Sequence, residues 1–328
     1  MSTSYAVPAR PLRIVLPGGS GQVGQMLAQY FQERGHHVTV LTRGPHTAQW
    51  QTVHWDGREI GPWTHYLEGS DVCINLTGRS VNCRYTAANR EEIYNSRIVS
   101  TQLLGKVIAG LADPPRVWLN ASTATIYRRA LDRPMDEATG QVGGNEPNAP
   151  ATWNFSVKVA KDWEEAFFRT LTPRTRKIAM RSAITFSPKT GNSFAVLSNL
   201  VRLGLGGKQG SGRQFVSWIH ETDFAHAVEF LIARDDVEGP VNIASPNPLP
   251  NRQFMADMRD AWDVPNGFPI PSPLLEIGAF FMRTETELVL KSRRVIPGRL
   301  LYKGFHFEFP NWPHAIQDLV DQWRHRDD

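Results

Sequence analysis

Cysteine is nearly missing from this chain of 328 residues, which holds only Cys73, inside an apolar run, and Cys83, in a polar stretch. Two thiols so placed exclude a disulfide framework and a cysteine-built metal cluster, and they point to a reducing compartment. Long apolar runs are missing too. No stretch approaches the 18 or so residues of a membrane span, and the opening MSTSYAVPARPL lacks the apolar core of an export signal. Charge of one sign is scarce: 36 Lys plus Arg stand against 32 Asp plus Glu, a scattered net +4 that makes no nucleic-acid footprint. Internal repeats and low-complexity tracts are also lacking. With 41% hydrophobic residues the chain can bury a large core. The expectation is a soluble, cytoplasmic monomer or homodimer without nucleic-acid, membrane or metal partners.

What is present is an alternation of short apolar strands and longer helical stretches from 13 to about 181. RIVLP (13–17), HVTVLT (37–42), a strand near 72–76, RVWLNAS (116–122) and RKIAMRSAI (176–184) read as strands. Between them, VGQMLAQYFQERG sets Val23, Leu27, Tyr30 and Phe31 on one helical face before a stop at Gly35, and long helices are expected over 87–111 and 153–171. Such alternation predicts an α/β fold, a Rossmann-type doubly wound parallel sheet, here assigned to 11–185. Beyond 186 glycine and proline become frequent, as in GLGGKQGSG (204–212) and PNGFPIPSP (265–273). A smaller, irregular substrate lobe is expected over 186–328, with one strand near 241–244 able to return to the main sheet.

The first strand-to-helix turn carries the strongest functional signal. Gly18, Gly21 and Gly24 recur every three residues between RIVLP and the amphipathic helix, with Gly19, Ser20, Gln22 and Val23 completing the loop. A helix start offers unpaired N–H groups and the positive end of its dipole to a phosphate, provided no Cβ intervenes. Gly18 would permit the turn, Gly21 the approach of a pyrophosphate and Gly24 the packing of helix on strand, a dinucleotide-binding arrangement. The second strand ends Thr42-Arg43, with no acid to hold ribose hydroxyls. The fork of Arg43 suits a 2′-phosphate, so NADP(H) is favoured over NAD(H).

This glycine spacing resembles the extended short-chain dehydrogenase/reductase superfamily. INLTG (74–78) resembles that superfamily's N-x-A-G segment, which implies that Asn75, Leu76, Thr77 and Gly78 line the cofactor. NSRIVSTQLL (95–104), GLGGKQGSGRQFVSWIHETDFAHAV (204–228) and SRRVIPGRLLYKGFHFEFP (292–310) resemble nucleotide-sugar-epimerase-like proteins of the YfcH type, with a small C-terminal domain of unknown function, here within 245–310. The resemblance implies an NAD(P)-binding epimerase- or dehydratase-like oxidoreductase that transfers a hydride on a small or nucleotide-linked substrate. The alternative is an NADP(H)-binding or regulatory protein without turnover.

Superfamily chemistry uses a Ser or Thr hydroxyl to orient the substrate oxygen, a Tyr to move the proton and a Lys to lower that tyrosine's pKa. In NASTATIY (120–127) the resemblance places the orienting hydroxyl at Thr123, with Ser122 before it. Laid over the Y-x-x-S-K helix, WNFSVKVAKDWEEA puts Lys158 on the lysine but Asn154 on the tyrosine, and an amide exchanges no proton at neutral pH. Lys158 either grips the nicotinamide ribose or is an exposed helix lysine. Tyr127 is a further proton-donor candidate. His220, before a helix that Thr222 or Asp223 would cap, either titrates near neutrality or is bonded to backbone. Arg181, and Lys208 with Arg213 around the glycine-rich loop, are candidates for an anionic substrate, the loop being equally readable as a ligand-free surface segment.

Overall fold

The computed structural model describes residues 10–44, 48–281 and 285–325. In chain order, β1 (Arg13–Pro17), α1 (Gln22–Glu33), β2 (His37–Thr42), β3 (Gln51–His54), β4 (Val72–Asn75), α2 (Ala87–Gly110), β5 (Val117–Thr123), α3 (Ala151–Arg169) and β6 (Arg176–Ser182) form successive βα units. The sequence pattern missed β3. It is a four-residue edge strand of half-exposed and exposed residues, too short and too polar to stand out.

After β6 come β7 (Ile184–Phe186), α4 (Ser193–Arg202), β8 (Phe215–Val216), β9 (Trp218–His220), α5 (Glu221–Ala233) and β10 (Gly239–Ile243). β10 pairs in parallel with β6 and completes a seven-stranded sheet of order β10-β6-β5-β4-β1-β2-β3, parallel throughout. The stretch beyond 186 is therefore shared, because α5 and β10 pack into the main body.

Alternation along β1 explains how the two faces are covered. Ile14 and Leu16 point to a core with Leu27, Ala28 and Phe31 of α1 and Phe224, Val228 and Leu231 of α5. Val15 points the other way, with Cys73, Trp118 and Ala179, onto Leu104 and Ile108 of α2 and Phe167 of α3. There Trp118 and Phe167 meet edge to face at 4.6 Å.

The remaining elements are β11 (Leu249–Pro250), α6 (Asn251–Ala261), α7 (Ser272–Phe281), α8 (Glu287–Leu290), α9 (Gly298–Tyr302) and α10 (Trp312–Arg324). Of these, α6 and α10 with α4 enclose a second core of Phe186, Phe194, Trp218, Phe254, Trp312 and Leu319, where the rings of Phe254 and Trp312 stack at 4.1 Å, while Leu300 of α9 joins the main-sheet core. No helix among the described residues is long and apolar enough to cross a membrane.

Helix α1 sits close to the first turn because two glycines meet there. An added Cβ at Gly24 would stand 2.4 Å from the Cα of Gly19, inside backbone contact distance. Gly24→Ala is expected to lose about 1–3 kcal/mol in urea unfolding. Gly110→Ala, with nothing within 4 Å of its added Cβ, should be near neutral.

Candidate active site

The carboxyl ends of β1, β2, β4 and β5 lie side by side, and the glycine turn, Thr42 and Asn75 to Gly78, all singled out by the sequence for the cofactor, gather there, whereas Lys158 does not. Gly18 turns the chain with φ of +74°, and an added Cβ would stand 2.7 Å from the Cα of Thr77, so only glycine fits. Its N–H donates to Leu41 O at 2.9 Å, while Leu76 N donates to Pro17 O at 2.8 Å. These bonds lock the loops after β1, β2 and β4 together.

Gly21 differs from its neighbours. A Cβ there would meet nothing nearer than Gly18 O at 3.9 Å, and Gly21 caps α1 without any side-chain hydrogen bond. The space above the helix start is open to a phosphate that needs N–H donors. Below Gly18, the buried Thr77 hydroxyl oxygen has no hydrogen-bond partner among the described residues. Both observations fit a dinucleotide in this corner, with Gly18 to Gly24 and Asn75 to Gly78 as its walls.

Asn75 is fully buried. Its amide donates to Asn120 Oδ1 at 2.7 Å, and its Oδ1 accepts from Thr77 N at 3.1 Å. It shapes the wall from within. Thr42 is buried at the end of β2, and Arg43 follows it exposed, with no hydrogen bond or ion pair among the described residues.

The catalytic candidates separate. Thr123 is half-buried, and its Oγ1 accepts from Thr125 N at 3.1 Å at the start of the 3₁₀ turn Ala124–Ile126, leaving its O–H able to donate. Ser122 instead points inward and donates to Glu164 Oε1 at 2.6 Å. Glu164 also receives Nε and Nη2 of Arg181 at 2.8 and 2.7 Å. Burial pulls the Arg181 guanidinium down, but the hydrogen bonds and charge of Glu164 outweigh it and hold it above its ordinary value. Arg181 is thus no open receptor for a substrate anion.

Tyr127 is buried in the same network. It donates to Asn242 Oδ1 at 3.0 Å and accepts from Arg181 at 2.9 Å, and burial raises its pKa, so its proton is held, not offered.

The helix register needs correction as well. Asn154 and Lys158 both lie on the exposed face of α3, where Lys158 pairs with Asp162 and stands 5.4 Å from the ring centroid of Tyr94. The face turned to the 3₁₀ turn carries Ser156, Ala160 and Glu164, with Ala160 packed against Ala124 and Ile126. Four-residue spacing held in both readings; only tertiary packing says which set faces inward.

His220 caps α5 itself, taking the place expected of Thr222 or Asp223. Its Nδ1 accepts from Thr222 N at 3.2 Å, its Nε2 lies 3.1 Å from Asp318 of α10, and the ring stacks on Phe309. The loop holding Lys208 and Arg213 is not an open nest. The N–H groups of Gly207, Gln209, Gly210 and Gly212 donate to Phe268 O, Asn251 Oδ1, Ile270 O and Gln209 O, and Lys208 and Arg213 project outward. Its glycines permit close packing: an added Cβ at Gly207 would stand 2.4 Å from Phe268 C. No metal-holding group of His, Cys, Asp or Glu occurs among the described residues.

A parallel sheet, a glycine turn with an open helix start and a hydroxyl-bearing turn after β5 together define a Rossmann-type dinucleotide-binding fold. Residues 14–244 match the model of the NAD dependent epimerase/dehydratase family, and this chain belongs to that family. Residues 270–319 match the domain of unknown function DUF1731. The chain is similar to the epimerase family protein SDR39U1 of Homo sapiens, with 29% identity over 314 residues, 94% of this chain and 100% of that one. The crystal structure of human SDR39U1 with NADPH superposes with a TM-score of 0.82 at 28% identity, covering 94% of this chain and 99% of that one. A nucleoside-diphosphate sugar epimerase from Corynebacterium glutamicum shares the fold, with a TM-score of 0.72 at 24% identity, covering 95% of this chain and 58% of that one.

The sequence reading missed Glu164. The signal was Arg181, a charge inside the apolar strand IAMRSAI, since a buried charge needs a partner. Glu164→Gln and Arg181→Met are each expected to lose about 3–5 kcal/mol in urea unfolding. The double variant should lose well under the sum, and additivity would show that the two groups do not act as a pair.

Proposed function

We propose that this chain is an NADP(H)-dependent oxidoreductase of the epimerase/dehydratase type, acting on a carbon of a small or nucleotide-linked substrate. The carrying observation is the glycine turn: Gly18 packed on Thr77, and Gly21 leaving the start of α1 open. NADPH in the crystal structure of human SDR39U1 supports the same reading. When bound, the nicotinamide supplies or accepts the hydride.

The residues of this chain do the rest. Backbone N–H groups of Ser20, Gln22 and Val23 would hold the pyrophosphate, and Arg43, exposed and unengaged among the described residues, would hold the 2′-phosphate. Thr123, whose oxygen is fixed by Thr125 N, would donate its O–H to the substrate oxygen. Ser122, committed to Glu164, holds the strand end in place behind it.

A second reading, NADP(H) binding without turnover, is favoured by one observation. The inward face of α3 presents Ser156 and Ala160, not a tyrosine and lysine, to the turn that carries Thr123.

Titration of cofactor-stripped protein, followed by energy transfer from its ten tryptophans to the nicotinamide, should show tighter binding of NADPH than of NADH. Arg43→Ala should weaken NADPH by about 1–3 kcal/mol, roughly 5- to 150-fold, and leave NADH unchanged. Equal losses for both would remove Arg43 from the 2′-phosphate. NADPH oxidation with a carbonyl substrate, abolished by Thr123→Val, selects the first reading; binding without turnover across a broad substrate panel selects the second.

A further inference from the structure

A cavity of about 460 Å³ opens beyond the carboxyl end of β10, between α6, the first residues of α10 and the chain that follows α8. That volume lies within the roughly 300–1,000 Å³ of small-molecule sites. β10 is an edge strand, and β6, β5 and β4 separate it from β1. The cavity shares no residue with the glycine turn or with Asn75 to Gly78. Pro134, Pro246, Pro248 and Pro313 line it, and such stiff walls lose little entropy when a ligand arrives.

Opposite charges line this space without meeting each other. Gln253 and Asp257 stand one turn apart on α6, and Gln253 Nε2 donates to Asp257 Oδ1 at 2.7 Å. Asp257 is 9% exposed, and no cation pairs with it among the described residues. Burial raises its pKa against the pull of the Gln253 amide, and the charge of Asp260 adds to the rise. Arg294 lines another wall, half-buried, with its guanidinium carbon 4.4 Å from the Phe215 ring centroid. Its Nη1 donates to Asp132 O at 3.0 Å, and no carboxylate pairs with it among the described residues. A ligand with one charge leaves the other of these two groups unpaired, whereas a ligand with both charges satisfies them together.

The loops add one donor and one acceptor. Asn247 Nδ2 donates to Pro310 O at 3.1 Å and to Asn311 Oδ1 at 2.9 Å. Asn247 Oδ1 and Asn311 Nδ2 have no hydrogen-bond partner among the described residues, and both residues line the cavity. An N–H acceptor beside a C=O donor matches the two needs of a peptide unit.

We propose that this cavity binds a di- or tripeptide with free ends, its carboxylate on Arg294 and its ammonium on Asp257. Asn311 donates to a peptide carbonyl and Asn247 accepts a peptide N–H. The site is separate from the cofactor corner and does not depend on the hydride-transfer reading.

The test is calorimetric titration of the full chain with trialanine at about pH 7, where both ends of the peptide are charged. One molecule should bind saturably per chain, with the same affinity when NADPH is present in excess. N-acetyl-trialanine and trialanine amide, each lacking one charge, should bind about tenfold more weakly. In Asp257→Asn the free and acetylated peptides should bind alike while the preference for a free carboxylate persists. In Arg294→Gln the free and amidated peptides should bind alike while the preference for a free amine persists, an exchange that misfolding does not produce. No saturable binding of trialanine, equal binding of the blocked peptides by the unaltered protein, or preferences unchanged in both variants overturns the site. Competition between trialanine and NADPH overturns it as well, by placing the peptide in the cofactor corner.

Discussion

The buried fork between Arg181 of β6 and Glu164 of α3 is the contact on which the corner after β5 depends. Two hydrogen bonds of 2.8 and 2.7 Å join strand to helix, and Ser122 and Tyr127 bond to the same pair. A carboxylate and a guanidinium this deeply buried keep their charges only together. Their geometry therefore sets how α3 lies on β5 and β6, and so which of its side chains reach the turn after β5.

The nucleotide corner rests on another constraint, the closeness of backbone to backbone. Gly18 on Thr77 and Gly24 on Gly19 leave no room for a Cβ, whereas Gly21 has room and no occupant from the chain itself. Rigid walls around an open helix start make a preorganised site, because the N–H groups are aimed before any phosphate arrives. Asn75, buried and bonded to Asn120 and to Thr77 N, extends that rigidity from the sheet into the wall.

The C-terminal lobe is tied to the sheet by side-chain hydrogen bonds, not by a broad apolar seam alone. Asp223 of α5 accepts from Glu308 N and Phe309 N at 2.7 and 2.9 Å, and His220 reaches Asp318. The same lobe returns Lys291 and Arg293 to Thr125, so residues more than 160 positions apart share one polar site. Its glycine-rich loop helps by packing tightly, with Gln214 donating to Val289 O at 3.3 Å next to that segment.

The order of strands and helices, the glycine turn and the absence of an acid after β2 were legible in the sequence by itself. Period-2 and period-3.6 patterns are local, and a glycine that only glycine can replace leaves its mark at one position. The short polar edge strand β3 and the return of β10 left weaker marks, since pairing at a sheet edge needs little from the side chains. Tertiary structure alone decided which side chains face the turn after β5. The pattern in WNFSVKVAKDWEEA permits several four-residue spacings, and only the fork to Arg181 turns Ser156 inward and Asn154 and Lys158 out to solvent. Nothing local marks Lys291 and Arg293 as buried, because burial and pairing are properties of distant segments brought together.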